Sequence, residues 1–319
     1  MYNKKEKIIL SINRGHNSSL TLIKNKSIIL HLENERLSNL KYDNFCFNAL
    51  QLIPNYVDYI DIFVLSGVTP SKPAEVFSDL DYYSEIILRL KKSFYIHGFE
   101  KYDLSNEHHK LHAACAFYNS NYDSALCVVK DGMGSEYKLH GPNFLKDTYG
   151  RENGTSYTID DKQFNVVSKH IGVSFSLPKI PYYISDTTFL TNSHSEGLAF
   201  QKTAKHFGFN ELDAGKVMGM AAYSSITDKY KIYNDNFINP NMFKYYNNNL
   251  TQGYLDINNL TTFDEQIDFA NSLQTQVQNK VLEEILQLLE KTQQTNLCLT
   301  GGFFLNCAAN YFILSNLPK

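Results

Sequence analysis

The sequence predicts an α/β protein with a duplicated lobe, and three observations carry that expectation. Residues 7–12 (KIILSI) form a strand-like apolar run, followed by a polar turn and a returning run at 20–23. Residues 125–130 (ALCVVK) repeat this layout, with the turn Asp131-Gly132-Met133-Gly134-Ser135-Glu136 and a return beginning at 137–140. Two such hairpins about 120 residues apart read as two copies of one lobe, each offering a turn whose backbone N–H groups can wrap an anion. Near the other end, a strand at 296–300 (NLCLT) runs into Gly301-Gly302 and then a helix at 303–313. Open α/β sheets bind nucleotide sugars and phosphates at such strand–turn–helix junctions. With 319 residues the chain is long enough for two lobes, expected at 1–120 and 121–319.

Composition narrows the classes of function. Apolar residues make up 43% of the chain and charged residues 20%, a globular balance and not a disordered one. A net charge of −3 argues against a dominant nucleic-acid footprint. No apolar run approaches the roughly 20 residues that span a bilayer, so no membrane partner is expected. The charged stretch 1–7 does not read as a signal peptide. Five dispersed cysteines without a CxxC pair read as buried thiols in a reducing cytosol, and the expected location is cytoplasmic.

Taken in order, the first hairpin turns at Arg14-Gly15-His16-Asn17-Ser18-Ser19, and Asn25-Lys26 joins its second strand to a third at 27–32. The charges between Glu33 and Asp43 either face a ligand or form a solvated edge. Residues 45–57 have helical spacing until Pro54, 60–66 (IDIFVLS) read as a strand, 74–90 as a helix and 94–97 as a short strand. Ser105 is the expected N-cap of the next helix, with Glu107 in its first turn. On that helix His108 and His112 stand four apart on one face, while His109 points elsewhere. Two imidazoles so placed can share a metal ion, or can simply pack or face solvent. Asp131, ending a buried-type strand, either holds a metal or its water or is an ordinary turn aspartate.

Residues 151–176 read as further hairpin material with turns at Gly154-Thr155 and Asp160-Asp161. A helix at 200–207 leads to a stretch in which Gly215 and Gly219 flank Lys216, allowing close backbone approach and presentation of the lysine to a substrate. The Walker A spacing is missing there. Residues 230–256, rich in Asn and Tyr, read as a surface insertion. Thr262 and Glu265 form a capping box opening a helix to about Glu290, with an apolar stripe through Leu273, Val277, Val281 and Ile285.

In this order, from Ile8 to Ile313, the chain resembles the O-carbamoyltransferase family that includes nodulation protein U and the antibiotic carbamoyltransferases. The matching stretches are residues 11–19 with Glu35-Arg36 and Lys41, then His108-His109-Lys110-Leu111-His112-Ala113-Ala114, Asp131-Gly132, and Gly215-Lys216-Val217-Met218-Gly219. Leu297-Cys298-Leu299-Thr300-Gly301-Gly302 with Leu305-Asn306-Cys307 completes the set. The resemblance implies a two-lobed fold of the actin, hexokinase and Hsp70 type (RNase H-like), with the second lobe incomplete at the C-terminus. It implies that carbamoyl phosphate and ATP give carbamoyladenylate in a separate C-terminal domain or subunit. The N-terminal domain then passes the carbamoyl group to a hydroxyl of a small-molecule or sugar acceptor. By the same resemblance iron (Fe2+) is held by His108 and His112, and a carboxylate beyond Lys319 completes the site. Asp131 and Gly132 lie near the nucleotide phosphate and metal, Gly301, Gly302 and Asn306 line the nucleotide, and Lys216 sits near it. By residue type His16 and His109 are candidates for removing the acceptor proton. The turn reads His16-Asn17 where the family often has an acidic residue. Because the third ligand and the adenylate-forming domain are expected beyond Lys319, the chain reads as a fragment, half of a split enzyme, or a non-catalytic nucleotide-binding relative. A tRNA threonylcarbamoyl transferase is a further alternative, which the Lys216 and Asn306 stretches fit less well.

Overall fold

Burial alternates along β1 (Ile8–Arg14), with Ile8, Leu10 and Ile12 facing inward. That is the period of a strand with one face on a core. The computed structural model describes residues 6–67, 100–161, 163–239, 242, 257 and 260–318. The chain divides into two compact units, Met1–Leu111 and His112–Lys319. The division falls nine residues before the 120/121 boundary expected from sequence.

In the first unit, β1, β2 (Ser19–Lys24) and β3 (Ser27–Glu33) form an antiparallel meander. Asn25 and Lys26 join the last two with φ of 50° and 72°, the left-handed pair that a two-residue hairpin turn needs. β4 (Ile62–Gly67) lies parallel to β1, and β5 (Glu100–Asp103) parallel to β4, giving the order β3-β2-β1-β4-β5. The helical stretch expected from 45 until Pro54 is shorter: α1 (Glu35–Ser38) precedes it, and only α2 (Phe47–Leu50) and a 3-10 turn at Ile53–Asn55 form. The Asn34 side-chain oxygen accepts from the N–H groups of Asn48 and Ala49, and Pro54 denies the segment an N–H a few residues on. The expected helix at 74–90 and strand at 94–97 lie outside the described residues.

The second unit carries β6 (Ser124–Lys130), β7 (Glu136–Lys138), β8 (Tyr149–Asp160), β9 (Phe164–Gly172), β10 (Tyr182–Tyr183), β11 (Thr188–Thr191) and β14 (Leu297–Thr300), with a separate small hairpin of β12 (Tyr233–Asn234) and β13 (Phe237–Ile238). Its sheet runs β10-β11-β9-β8-β6-β14. β9, β8 and β6 are antiparallel and β14 is parallel to β6, so the order β9-β8-β6-β14 repeats β3-β2-β1-β4. The strand order is thus one α/β topology used twice, the duplication expected from sequence. The return strand is not 137–140, however. β7 is three residues long and pairs with β8, while β8 itself pairs with β6 along its length. Gly154-Thr155 is no turn but sits inside β8 at a register shift, and the turn falls at Asp160.

The helices are α3 (His108–Tyr118), which straddles the unit boundary, α4 (Glu196–His206), α5 (Gly215–Ala221), α6 (Phe263–Thr292) and α7 (Cys307–Asn316). Thr262 and Glu265 close the capping box of α6, whose stripe of Phe269, Leu273, Val277, Val281 and Ile285 is wholly buried. Five such side chains contribute on the order of 10 kcal/mol of gross hydrophobic stabilisation. The stretch after Tyr230 is not the expected surface insertion at its start. Tyr230, Ile232, Tyr233 and Ile238 join the α6 core, and the Gln276 side chain pairs with the backbone of Tyr230 and Ile232. Among the described residues no helix is long and apolar enough to cross a membrane.

Candidate metal centre

β6 and β14 are neighbouring parallel strands in register, with Val129 opposite Thr300. Their C-terminal ends therefore place Asp131 beside Gly301-Gly302 across 171 residues of chain. One Asp131 oxygen, Oδ1, accepts from the N–H of Gly132 at 2.8 Å and of Gly302 at 3.0 Å. The other, Oδ2, lies 3.7 Å from His112 Nε2. His108 stands one helical turn before His112, so α3 itself sets its place beside that ring. Donor atoms of His108, His112 and Asp131 all lie within 4.8 Å of one another. Two imidazoles and a carboxylate are a donor set suited to a first-row divalent cation, and the three partly buried groups converge closely enough to share one.

The glycines here are dictated by contact. Gly301 has φ 97°, and a Cβ on it would collide with the Lys130 carbonyl. A Cβ on Gly302 would stand 2.6 Å from Asp131 Oδ1, and one on Gly197 2.8 Å from the Gly132 nitrogen. The start of α4 thus packs directly on the Asp131 turn. Ser195 fixes that contact: its hydroxyl donates to the Gly132 carbonyl at 2.6 Å and accepts from the Leu198 N–H as the α4 N-cap.

Behind Asp131, the buried Lys130 ammonium lies 3.1 Å from Glu196 and 2.6 Å from Glu284. Burial works to lower its pKa, but the two carboxylates outweigh burial and raise it. Glu196 is held below the usual carboxylate range, since Lys130 outweighs the effect of burial on it. The ammonium ties the end of β6 to α4 and α6.

The other residues expected at the site fall in several places. His109 is fully buried, and with Ala113 and Phe117 it forms the core stripe of α3 at four-residue spacing. Asn306 is the N-cap of α7, so that helix begins four residues later than expected. Its buried side chain accepts from the Ala309 N–H and pairs with Gln274, and so faces the core. Lys216, about half exposed at the start of α5, pairs with Asp213 at 3.0 Å and lies over the Phe209 ring. His16 is exposed in the β1–β2 turn, its Nδ1 2.7 Å from Asn17 Oδ1. The Ser105 hydroxyl donates to Asp103, and α3 starts three residues on, at His108. Sequence reasoning missed Lys130, Ser195, Glu196 and Glu284, whose signal was a Ser-Glu-Gly helix start at 195–197 and a lysine closing a strand of buried apolar residues.

Comparison with known proteins adds to this geometry. The family described as carbamoyltransferase N-terminus matches residues 81–318. The uncharacterized protein sll1178 of Synechocystis sp. is 23% identical over 344 aligned positions, covering 92% of this chain and 50% of that protein. The chain thus spans about half the length of that relative. Among solved structures, a ROK family protein from Streptococcus pneumoniae in complex with sucrose is similar at 11% identity, covering 97% of this chain and 85% of its own, with a TM-score of 0.43. A candidate N-acetylmannosamine kinase from Listeria monocytogenes is similar at 9% identity, covering 97% and 90%, with a TM-score of 0.40.

Proposed function

The chain belongs to the carbamoyltransferase family, matching the N-terminal part of its members, and from that premise we propose that it transfers a carbamoyl group from carbamoyladenylate to a hydroxyl of a sugar or other small-molecule acceptor. The observation that supports this most directly is the convergence of His108, His112 and Asp131 beside Gly302. The carbamoyladenylate, made from carbamoyl phosphate and ATP, is supplied by a further domain or subunit.

A mixed anhydride is already activated, so the residues chiefly orient it and stabilise developing charge. Bound to His108, His112 and Asp131, Fe2+ or another divalent cation supplies Lewis-acid polarisation of an oxygen. Asp131 is prepared for that role by its own turn: two backbone N–H groups hold Oδ1, and Oδ2 is left on the His112 side. Gly301 and Gly302 serve this orientation, letting the β14 turn approach Asp131 as no other residue type would. Gly132 completes the turn, with its carbonyl held by Ser195. His16, exposed at its turn, is the imidazole candidate for taking the acceptor proton, whereas His109 is enclosed in the core.

The test supplies carbamoyl-labelled carbamoyladenylate and a panel of sugars to the wild-type chain and to His108→Ala and His112→Ala. Label should appear on an acceptor with the wild type, and each variant should lower it by about 10²-fold or more while keeping its circular dichroism spectrum. Labelling by both variants at the wild-type rate contradicts the proposal.

A further inference from the structure

A second feature of the same unit begins two residues past Asp131. A cavity of about 440 Å³ opens there, bounded by Met133 and Glu136 beyond the turn, by Arg151 on β8, by the segment after β9, and by Leu198 and Lys202 on α4. Its charges do not balance. Arg151 is matched by Glu136, with Nε 3.4 Å from the carboxylate. Lys202 meets no carboxylate within ion-pair distance among the described residues, and its ammonium stands 3.4 Å from His194 Nε2. His194 offers no compensating charge. Burial, and then Lys202 itself, push it down to about 4, so it is neutral at physiological pH. Burial likewise lowers Lys202, with Glu211 opposing and Lys205 adding to the effect. A half-buried ammonium with no carboxylate at ion-pair distance is unfavourable, and an anion entering the cavity relieves it.

The rest of the wall is suited to hydroxyl groups. Asn192, Ser174 and Ser176 line it, and so do the aromatic residues Tyr149 and Phe175. Polar groups that fix orientation, set among apolar surface, are the make-up of a small-molecule site.

We infer that this cavity binds a small anionic sugar, a sugar phosphate or a sugar acid, with Lys202 meeting the anion, and that it is the acceptor subsite of the transfer reaction. The second half rests on the proposed function; the first does not. The carbamoyl donor and the acceptor would then lie on the two sides of one turn, that of Asp131 and Gly132.

Isothermal titration of the chain with glucose 6-phosphate, glucuronate and glucose tests this, with Lys202→Gln and His112→Ala as variants. At least one anionic sugar should bind saturably, and glucose about tenfold or more weaker. Lys202→Gln should weaken the anionic sugar by about tenfold or more and leave glucose unchanged, while His112→Ala binds as wild type. Whichever anionic sugar binds identifies phosphate or carboxylate as the group at Lys202. Absence of saturable binding at millimolar concentrations, or equal binding by Lys202→Gln, overturns the site. Binding without any labelling of the bound sugar in the transfer assay overturns only the acceptor role. Circular dichroism checks that Lys202→Gln, a change on a partly exposed helix position, remains folded.

Discussion

Asp131 divides its carboxylate between structure and chemistry, one oxygen holding two backbone N–H groups and the other turned to His112. The same economy of polar groups recurs at His170, partly buried, 2.5 Å from Thr191 and stacked on Phe189. Burial pushes its pKa from 6.5 to about 4, with Glu196 opposing and Lys130 adding. The unfolded chain takes up this proton near its ordinary pKa, and the folded chain only near the lowered one. The stability from keeping it neutral is therefore full above about pH 6.5 and lost as the pH falls toward about 4, by on the order of 3 kcal/mol. Thermal melts across that window should show a falling Tm, and His170→Gln should flatten part of the fall. Identical pH slopes in the two proteins contradict the assignment. At this scale the sequence was partly legible. His108 and His112 follow from a four-residue spacing, because a helix converts spacing into a shared face. Asp131 stayed open between turn and ligand, since its partner Gly302 lies 171 residues away. Lys130, Glu196 and Glu284 were illegible for the same reason: only the folded sheet and helices bring them together.

Among the elements, the junction of β6 and β14 positions the candidate centre, and its tolerance to added atoms is sharply uneven. Gly301→Ala places a Cβ into the Lys130 carbonyl from a left-handed backbone and should destabilise the chain by about 2–4 kcal/mol. Gly219→Ala, inside α5 with nothing within 4 Å of the new carbon, should stabilise by up to about 1 kcal/mol. Chemical denaturation of both variants checks the pair, and equal shifts contradict the role given to Gly301. Strands with alternating burial and the capped helix α6 were readable in advance, since their periodicity reports their own packing. The short elements were not. Asn34 takes up N–H groups in the first turn of α2 and Asn306 delays α7 by one helical turn, through hydrogen bonds that periodicity does not encode, while Pro54 withholds an N–H beyond α2.

Over the whole molecule, the order β3-β2-β1-β4 in one unit and β9-β8-β6-β14 in the other realises the duplication that the two hairpins announced. The second hairpin had its return strand misplaced because β7 and the segment before β8 are inserted between the paired strands. Membership of the carbamoyltransferase family covers residues 81–318, and what the members' N-terminal part does in this chain turns on whether His108, His112 and Asp131 act together. Anaerobic equilibrium dialysis against Fe2+, with metal analysis of the wild type, His112→Ala and Asp131→Asn, measures that directly. The predicted result is about one iron per wild-type chain and about tenfold or more weaker retention in both variants, with their circular dichroism unchanged. Equal retention by the variants contradicts the assignment of a metal to these three residues.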